Sequence, residues 1–392
     1  MKKGMLALLA VSVVATLASM AAAAPTASTA LNCRTTTFRI PVVSPFSGPA
    51  SFLGNDQGSW AELAVKRVAP TLGLKAQIVR TDSTLDPAVA ATAVQKVLSD
   101  RRVVAIVGPA TSGAAGGTSA ALFAAKVAAI SPSATNAALT KSVGGKPKTA
   151  TAAFFRVVAD DSVQGTRDAE YMVSKLNAKK VAVFDAQEPY SEGLGNTVQT
   201  YLRGKGVTVD RFSVTNNTTD FSSLVNRIDR DTDVVFTPFQ VAANAQTIAV
   251  TLREQGKRAV VFGTDGTIDP AFKFPGSLVS NFAPDINLDP TRKTLVDAWK
   301  AANPGRTFSS FGPPAYGATQ VILQAIKNAC TKKKNSIDRI DVLRSVKSVR
   351  VAQWVLGGSF RFSTKTNDPL NGGFWLFQIQ SDGTSKQLAK LG

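Results

Sequence analysis

The chain has 392 residues, 44% of them hydrophobic, with 45 Lys and Arg against 27 Asp and Glu, two cysteines and no histidine. That length and apolar content support a sizeable core in about two domains. The missing imidazole excludes histidine-based triads, histidine general bases and histidine metal ligands, and two cysteines cannot build a zinc cluster.

The chain opens as an export signal. Lys2 and Lys3 form a basic start, residues 4–20 are apolar and small, and Ala21, Ala22 and Ala23 supply an A-x-A cleavage site. Residues 1–23 are therefore expected to be a signal peptide. The apolar stretch is short for a membrane span of about 20 residues. A lipid anchor on Cys33 is rejected, because Leu31 is at the wrong offset and Asn32 is a poor neighbour. The expected location is periplasmic or otherwise extracytoplasmic, with the signal peptide cleaved. Residues 24–36 are small and polar and read as a flexible leader. Cys33 and Cys330 are the only cysteines, and an exported chain meets an oxidising compartment, so they are expected to form one disulfide.

The formal charge of +18 falls to +16 without Lys2 and Lys3. Outside the short run Lys332 to Lys334 the basic residues are scattered, with no aromatic-basic stripe, so no nucleic-acid partner is expected.

From Phe38 onward, short apolar runs alternate with helical patterns. The runs are "FRIPVV" (38–43), "KAQIV" (75–79), "VVAIVG" (103–108), "VAAIS" (127–131), "KVAVFD" (180–185), "VTVDRFSV" (207–214), "DVVFTP" (233–238) and "AVVFGT" (259–264). Near-continuous apolar runs of four to six residues suit strands covered on both faces of a parallel sheet. Residues 87–100 place apolar side chains at helical spacing, with Asp86 as N-cap and Pro87 in the first turn. Residues 190–204 do the same and stop at Gly204; 290–302 and 315–330 are further helices. "FWLFQIQ" (374–380) reads as a late strand. Two strand–helix series flank residues 151–165, which predicts α/β architecture in two lobes with a cleft between them.

Ligands of open α/β sheets sit where strands end and helices begin. "GPATSG" (108–113) follows one strand with Thr111 and Ser112, and a helix is expected near Ala114. "ISPSATN" (130–136) follows the next with Ser133 and Thr135, and then reads as a helix. Such hydroxyl-bearing turns either hold a carboxylate jointly, aided by a helix N-terminus, or merely cap their own helices. Tyr190 lies in the turn after "KVAVFD", where its ring faces either a cleft or the core. Asp265 lies between Thr264 and Gly266, as a partner for a cation or as an ordinary turn aspartate. No G-x-G-x-x-G and no glycine-lysine phosphate loop is present, so no nucleotide cofactor is expected.

"VVSPFSGPASFLG" (42–54), "IVGPATSG" (106–113), "ISPSATNAALT" (130–140), "FFRVVADDSVQG" (154–165), "PYSEGLG" (189–195) and "FGTDG" (262–266) together resemble the leucine/isoleucine/valine-binding protein family. These are the periplasmic solute-binding proteins of ABC importers. The resemblance runs in order through essentially the whole chain after the leader. It implies two lobes joined by three crossovers near residues 156–158, 279–282 and 345–362. The lobes are then 37–156 with 282–350, and 157–281 with 351–392.

The resemblance also implies roles. Ser112 binds an α-carboxylate, the Ala134 carbonyl and Thr135 hold the amino-acid backbone, Tyr190 comes from the second lobe, and Asp265 pairs with the α-ammonium. Leu53 stands where the family often has an aromatic wall. Phe239, with Gln240 as a near alternative, would cover the ligand. The implied function is capture of a small amino acid or amide-type ligand for an ABC permease by a monomeric protein that is not an enzyme. The alternative is a sensor of the same fold that signals to a membrane receptor.

Overall fold

The computed structural model describes residues 30–140 and 152–391. The expected signal peptide lies outside these residues.

The first half is a parallel sheet wrapped by helices. After a two-residue strand, β1 (Leu31–Asn32), the chain runs through β2 (Thr37–Ser44), α1 (Ser51–Val68), β3 (Lys75–Asp82), α2 (Pro87–Leu98), β4 (Ala105–Val107), α3 (Ser112–Ala124), β5 (Ala128–Ser131) and β6 (Phe154–Arg156). The strand order is β3-β2-β4-β5-β6, with every pairing parallel. β4 and β5 are wholly buried, as their unbroken apolar runs require. Asp86 caps α2 by accepting from the Ala88 N–H, and Pro87 occupies its first turn.

The second half repeats the scheme with α4 (Asp161–Ser174), β7 (Lys180–Asp185), α5 (Pro189–Gly204), β8 (Thr208–Ser213), α6 (Ser222–Asn226), β9 (Val234–Thr237), α7 (Ala242–Glu254), β10 (Val260–Gly263) and β11 (Leu278–Asn281). The chain then returns to the first sheet as α8 (Lys293–Ala302), α9 (Gly312–Lys332), a short β12 (Ser336–Ile337) and α10 (Arg339–Val346). α9 packs on α1, β4, β5 and α10. The two-residue strands β13 (Arg350–Val351) and β14 (Phe360–Arg361) pair with each other, and β15 (Phe374–Ile379) and β16 (Ser385–Leu391) follow. The second sheet has the order β16-β15-β11-β10-β9-β7-β8. Its last two strands run antiparallel along the β11 edge.

The chain therefore passes between the two sheets three times: after β6, after β11, and between α10 and β15. Arg156, fully buried at the first passage, ties it to the third through an ion pair with Asp368 (2.6 Å). The same guanidinium donates to the carbonyls of Ala134 (3.1 Å) and Asn136 (2.9 Å).

Three sequence expectations need correction. The stretch expected as a leader is structured from Leu31: β1 pairs antiparallel with β12, and Cys33 is disulfide-bonded to Cys330 across 297 residues. The bond and the ladder supply the order that the polar composition lacks. The helix expected near Ala114 begins at Ser112, with Thr111 as its N-cap. Directly after "ISPSATN" the described residues up to 140 form no α-helix; Asn136 caps a single 3-10 turn, Ala137–Leu139.

Candidate ligand-binding site

The carboxyl ends of β4 and β5 face those of β7, β9 and β10 across a narrow space of about 10 Å³. From the first half it is lined by Leu53 of α1, Ala110, Thr111 and Ser112 before and at the start of α3, Ser133 after β5, and Phe311 ahead of α9. From the second half come Tyr190 of α5, Gln240 after β9, and Asp265 and Gly266 after β10. No lysine or arginine lines it. A space of this size holds no more than about one water molecule.

The first wall is built from hydroxyls and a helix start. Thr111 Oγ1 accepts from the Ala114 N–H (3.4 Å). Ser112 Oγ accepts from the Asn136 N–H (3.1 Å), which joins the two hydroxyl turns and leaves the serine proton for another acceptor. Ser133 Oγ donates to the Ala110 carbonyl (2.8 Å) and accepts from Gln57 Nε2 (2.8 Å), so it serves the wall itself. The first-turn amides of α3 and its dipole favour an anion here.

The opposite wall is acidic. Tyr190 Oη lies 2.8 Å from Asp265 Oδ1 and 2.6 Å from Thr264 Oγ1. Gln164 Nε2 donates to the same Asp265 oxygen (2.8 Å) and to Ser280 Oγ (3.0 Å), and Ser280 donates to Asp168 Oδ2 (2.8 Å). Burial pushes the Asp265 carboxyl up to about 6, against the pull of Gln164 and Tyr190. Burial also raises Asp161 and Asp168 well above the usual carboxylate range, and the nearby Asp265 adds to both. Tyr190 is raised by burial and then by the same carboxylate. Of these carboxyl groups only Asp265 lines the space, and a buried carboxylate with no lysine or arginine beside it in the lining is suited to a positive ligand group.

Of the residues singled out from sequence, Leu53, Ser112, Tyr190 and Asp265 meet in this space. Ala134 and Thr135 stand behind the first wall. The Ala134 carbonyl is engaged by Arg156, while Thr135 Oγ1 faces the Asp161 carboxyl without closing a hydrogen bond of good geometry. Phe239 does not line the space and is corrected: its ring is fully buried against Phe221 in the second core, and Gln240 takes the lining position. β9 ends at Thr237, so the alternation that would orient Phe239 no longer applies. Sequence reasoning missed Phe311 and Gln164. Phe311 directly precedes "GPP", a helix-start signal that could have marked it as the residue ahead of a helix.

The model of the periplasmic binding protein family matches residues 37–384, and the chain belongs to that family. Over 301 residues it is 28% identical to Leu/Ile/Val-binding protein homolog 3 of Brucella melitensis, covering 74% of this chain and 78% of that one. It is 24% identical over 358 residues to the leucine-specific-binding protein of Salmonella typhimurium, covering 88% and 92%. The fold matches the crystal structure of a leucine-binding protein from Thermotoga maritima with a TM-score of 0.79 at 21% identity, covering 91% of this chain and 99% of that one.

Proposed function

We propose that this chain is an exported solute-binding protein of an ABC importer, one that takes a small α-amino acid of branched-chain type, or an amide-like ligand, between its lobes. It delivers the ligand to a permease in the cytoplasmic membrane, works as a monomer without cofactor, and performs no chemistry of its own. The observation that carries this reading is the pairing of opposites across one cleft. A helix start with a serine proton to give faces a buried aspartate held by Tyr190 and Gln164.

In this reading the ligand carboxylate meets Ser112 and the first amides of α3, and the ligand ammonium meets Asp265. Both protein donors act on Oδ1 of Asp265, which leaves Oδ2 for the ligand. Leu53 and Phe311 wall the side chain, and Gln240 covers it. Ala134 contributes the second lone pair of its carbonyl, and Thr135 turns its hydroxyl from Asp161 to the ligand. Binding favours the closed arrangement of lobes, which the permease reads. The names of the relatives, for leucine or for leucine, isoleucine and valine, support the branched-chain class.

A thermal-shift screen tests it. A ligand present at 100 times its Kd stabilises the native state by about 2.7 kcal/mol. L-valine, L-leucine and L-isoleucine should raise Tm, while acetamide, urea and benzoate should do so less. A rise with benzoate or urea and none with any amino acid refutes the amino-acid assignment.

A further inference from the structure

We propose that Asp56 is a positioning residue: it holds residues 308–311 as a partition beside the cleft and so restricts the site to ligands with short side chains. This rests on the amino-acid reading above.

Asp56 is buried on α1. Its Oδ2 accepts from the Ser309 N–H (2.9 Å) and from Ser309 Oγ (2.7 Å). Ser309 Oγ in turn accepts from the Phe311 N–H (3.2 Å). One carboxylate on α1 therefore fixes the turn that presents Phe311, and Phe52 and Phe282 hold that ring edge-on at 5.8 and 5.3 Å. Asp56 and the lining residue Leu53 are three apart on α1, so they share a face. The same helix thus carries one lining residue of the space and the anchor of another, Phe311.

The anchoring is close-packed. A Cβ at Gly312 would stand 2.0 Å from Trp60 Cδ1 and 2.9 Å from Asp56 Oδ1, so α9 starts directly against the carboxylate. Asp56 makes no ion pair among the described residues, and burial pushes its carboxyl up to about 7. Keeping a carboxyl in so dry a place is unfavourable, which sets it apart from an ordinary exposed cap.

Phe311 faces the 10 Å³ space, while the residues just before it face another. Phe308, Ser309 and Ser310 line a cavity of about 590 Å³ whose far side is formed by Ile268, Phe272 and Phe377 of the second half. The 308–311 segment stands between the two. Held in place, it confines the ligand side chain; released, it opens the clamp towards the larger cavity.

The test compares wild type, Asp56→Asn and Phe311→Ala by isothermal titration with L-valine and L-phenylalanine, together with hydrogen exchange of the peptide spanning residues 306–316. In wild type L-valine should bind more tightly. Asp56→Asn should shift the ratio of the two Kd values towards phenylalanine by about tenfold, with faster exchange of the Phe311 amide, and Phe311→Ala should shift the ratio the same way. An unchanged ratio in Asp56→Asn, or equal weakening of both ligands, overturns the proposal. If wild type binds neither amino acid, the amino-acid reading fails. The anchor is then judged on exchange alone: faster exchange in Asp56→Asn supports it and unchanged exchange overturns it.

Discussion

Tyr190 Oη lies 2.8 Å from Asp265 Oδ1, and the two groups leave the ends of different strands of the same sheet to meet at the cleft. With the carboxylate ionised, the phenol donates to it and accepts from Thr264. Tyr190→Phe removes that donor from a buried anion. A hydrogen bond to a charged group contributes about 1.5–3 kcal/mol, so ligand affinity should fall by roughly ten- to a hundredfold. Isothermal titration of L-valine against the variant checks this, and circular dichroism confirms that the fold survives.

Protonation should couple to binding. Asp265 has its carboxyl raised to about 6, and a ligand ammonium favours the ionised form. Binding below that value must expel a proton, so affinity should rise with pH between about 5 and 7 and then level off. Titrations at pH 5.5 in two buffers of different ionisation enthalpy read the released proton directly.

Stability without ligand should run the other way. Asp265 is joined by Glu188 and Asp56, both raised to about 7 by burial, and by Asp161 and Asp168, raised well above the ordinary range. A raised carboxyl binds more protons in the folded state than in the unfolded one. Its contribution is complete below about pH 4 and is lost as pH rises through about 6 to 7. Tm measured without ligand should therefore be higher at pH 5 than at pH 8.

The two halves touch where Asn136 Nδ2 donates to the Pro189 carbonyl. A Cβ at Gly193, one turn further along α5, would stand 2.6 Å from that nitrogen. Gly193→Ala should displace the amide and weaken the closed arrangement. Losing one such hydrogen bond costs about 0.5–1.5 kcal/mol, so ligand dissociation should accelerate by roughly two- to tenfold. Stopped-flow measurement of dissociation checks it; an unchanged rate means that the contact does not hold the lobes together.

What could be read from sequence follows from periodicity. "KVAVFD" is β7 residue for residue, because a run buried on both faces announces itself. The end of the chain from Phe360 reads as β, but β16 has no pattern of its own: "SKQLAKL" is mostly exposed and carries two lysines, which suits an edge strand and hides it in a hydropathy pattern. β11 is masked in the sequence because its four residues lie between a Pro-Gly turn and the second passage itself. In the site, Ser112, Tyr190 and Asp265 were legible because each follows a strand. Phe239 was misplaced and Phe311 and Gln164 were missed, because side-chain direction beyond a strand end and partners brought from other elements are set by tertiary packing.

The most direct test asks whether Asp265 reads an ammonium. Isothermal titration at pH 7.5 compares L-valine with 2-hydroxyisovalerate, which keeps the carboxylate and side chain but lacks the amine, on wild type and Asp265→Asn. Wild type should prefer L-valine by about a hundredfold or more, and Asp265→Asn should lose most of that preference. Equal affinities in wild type, or an undiminished preference in Asp265→Asn, would contradict the account.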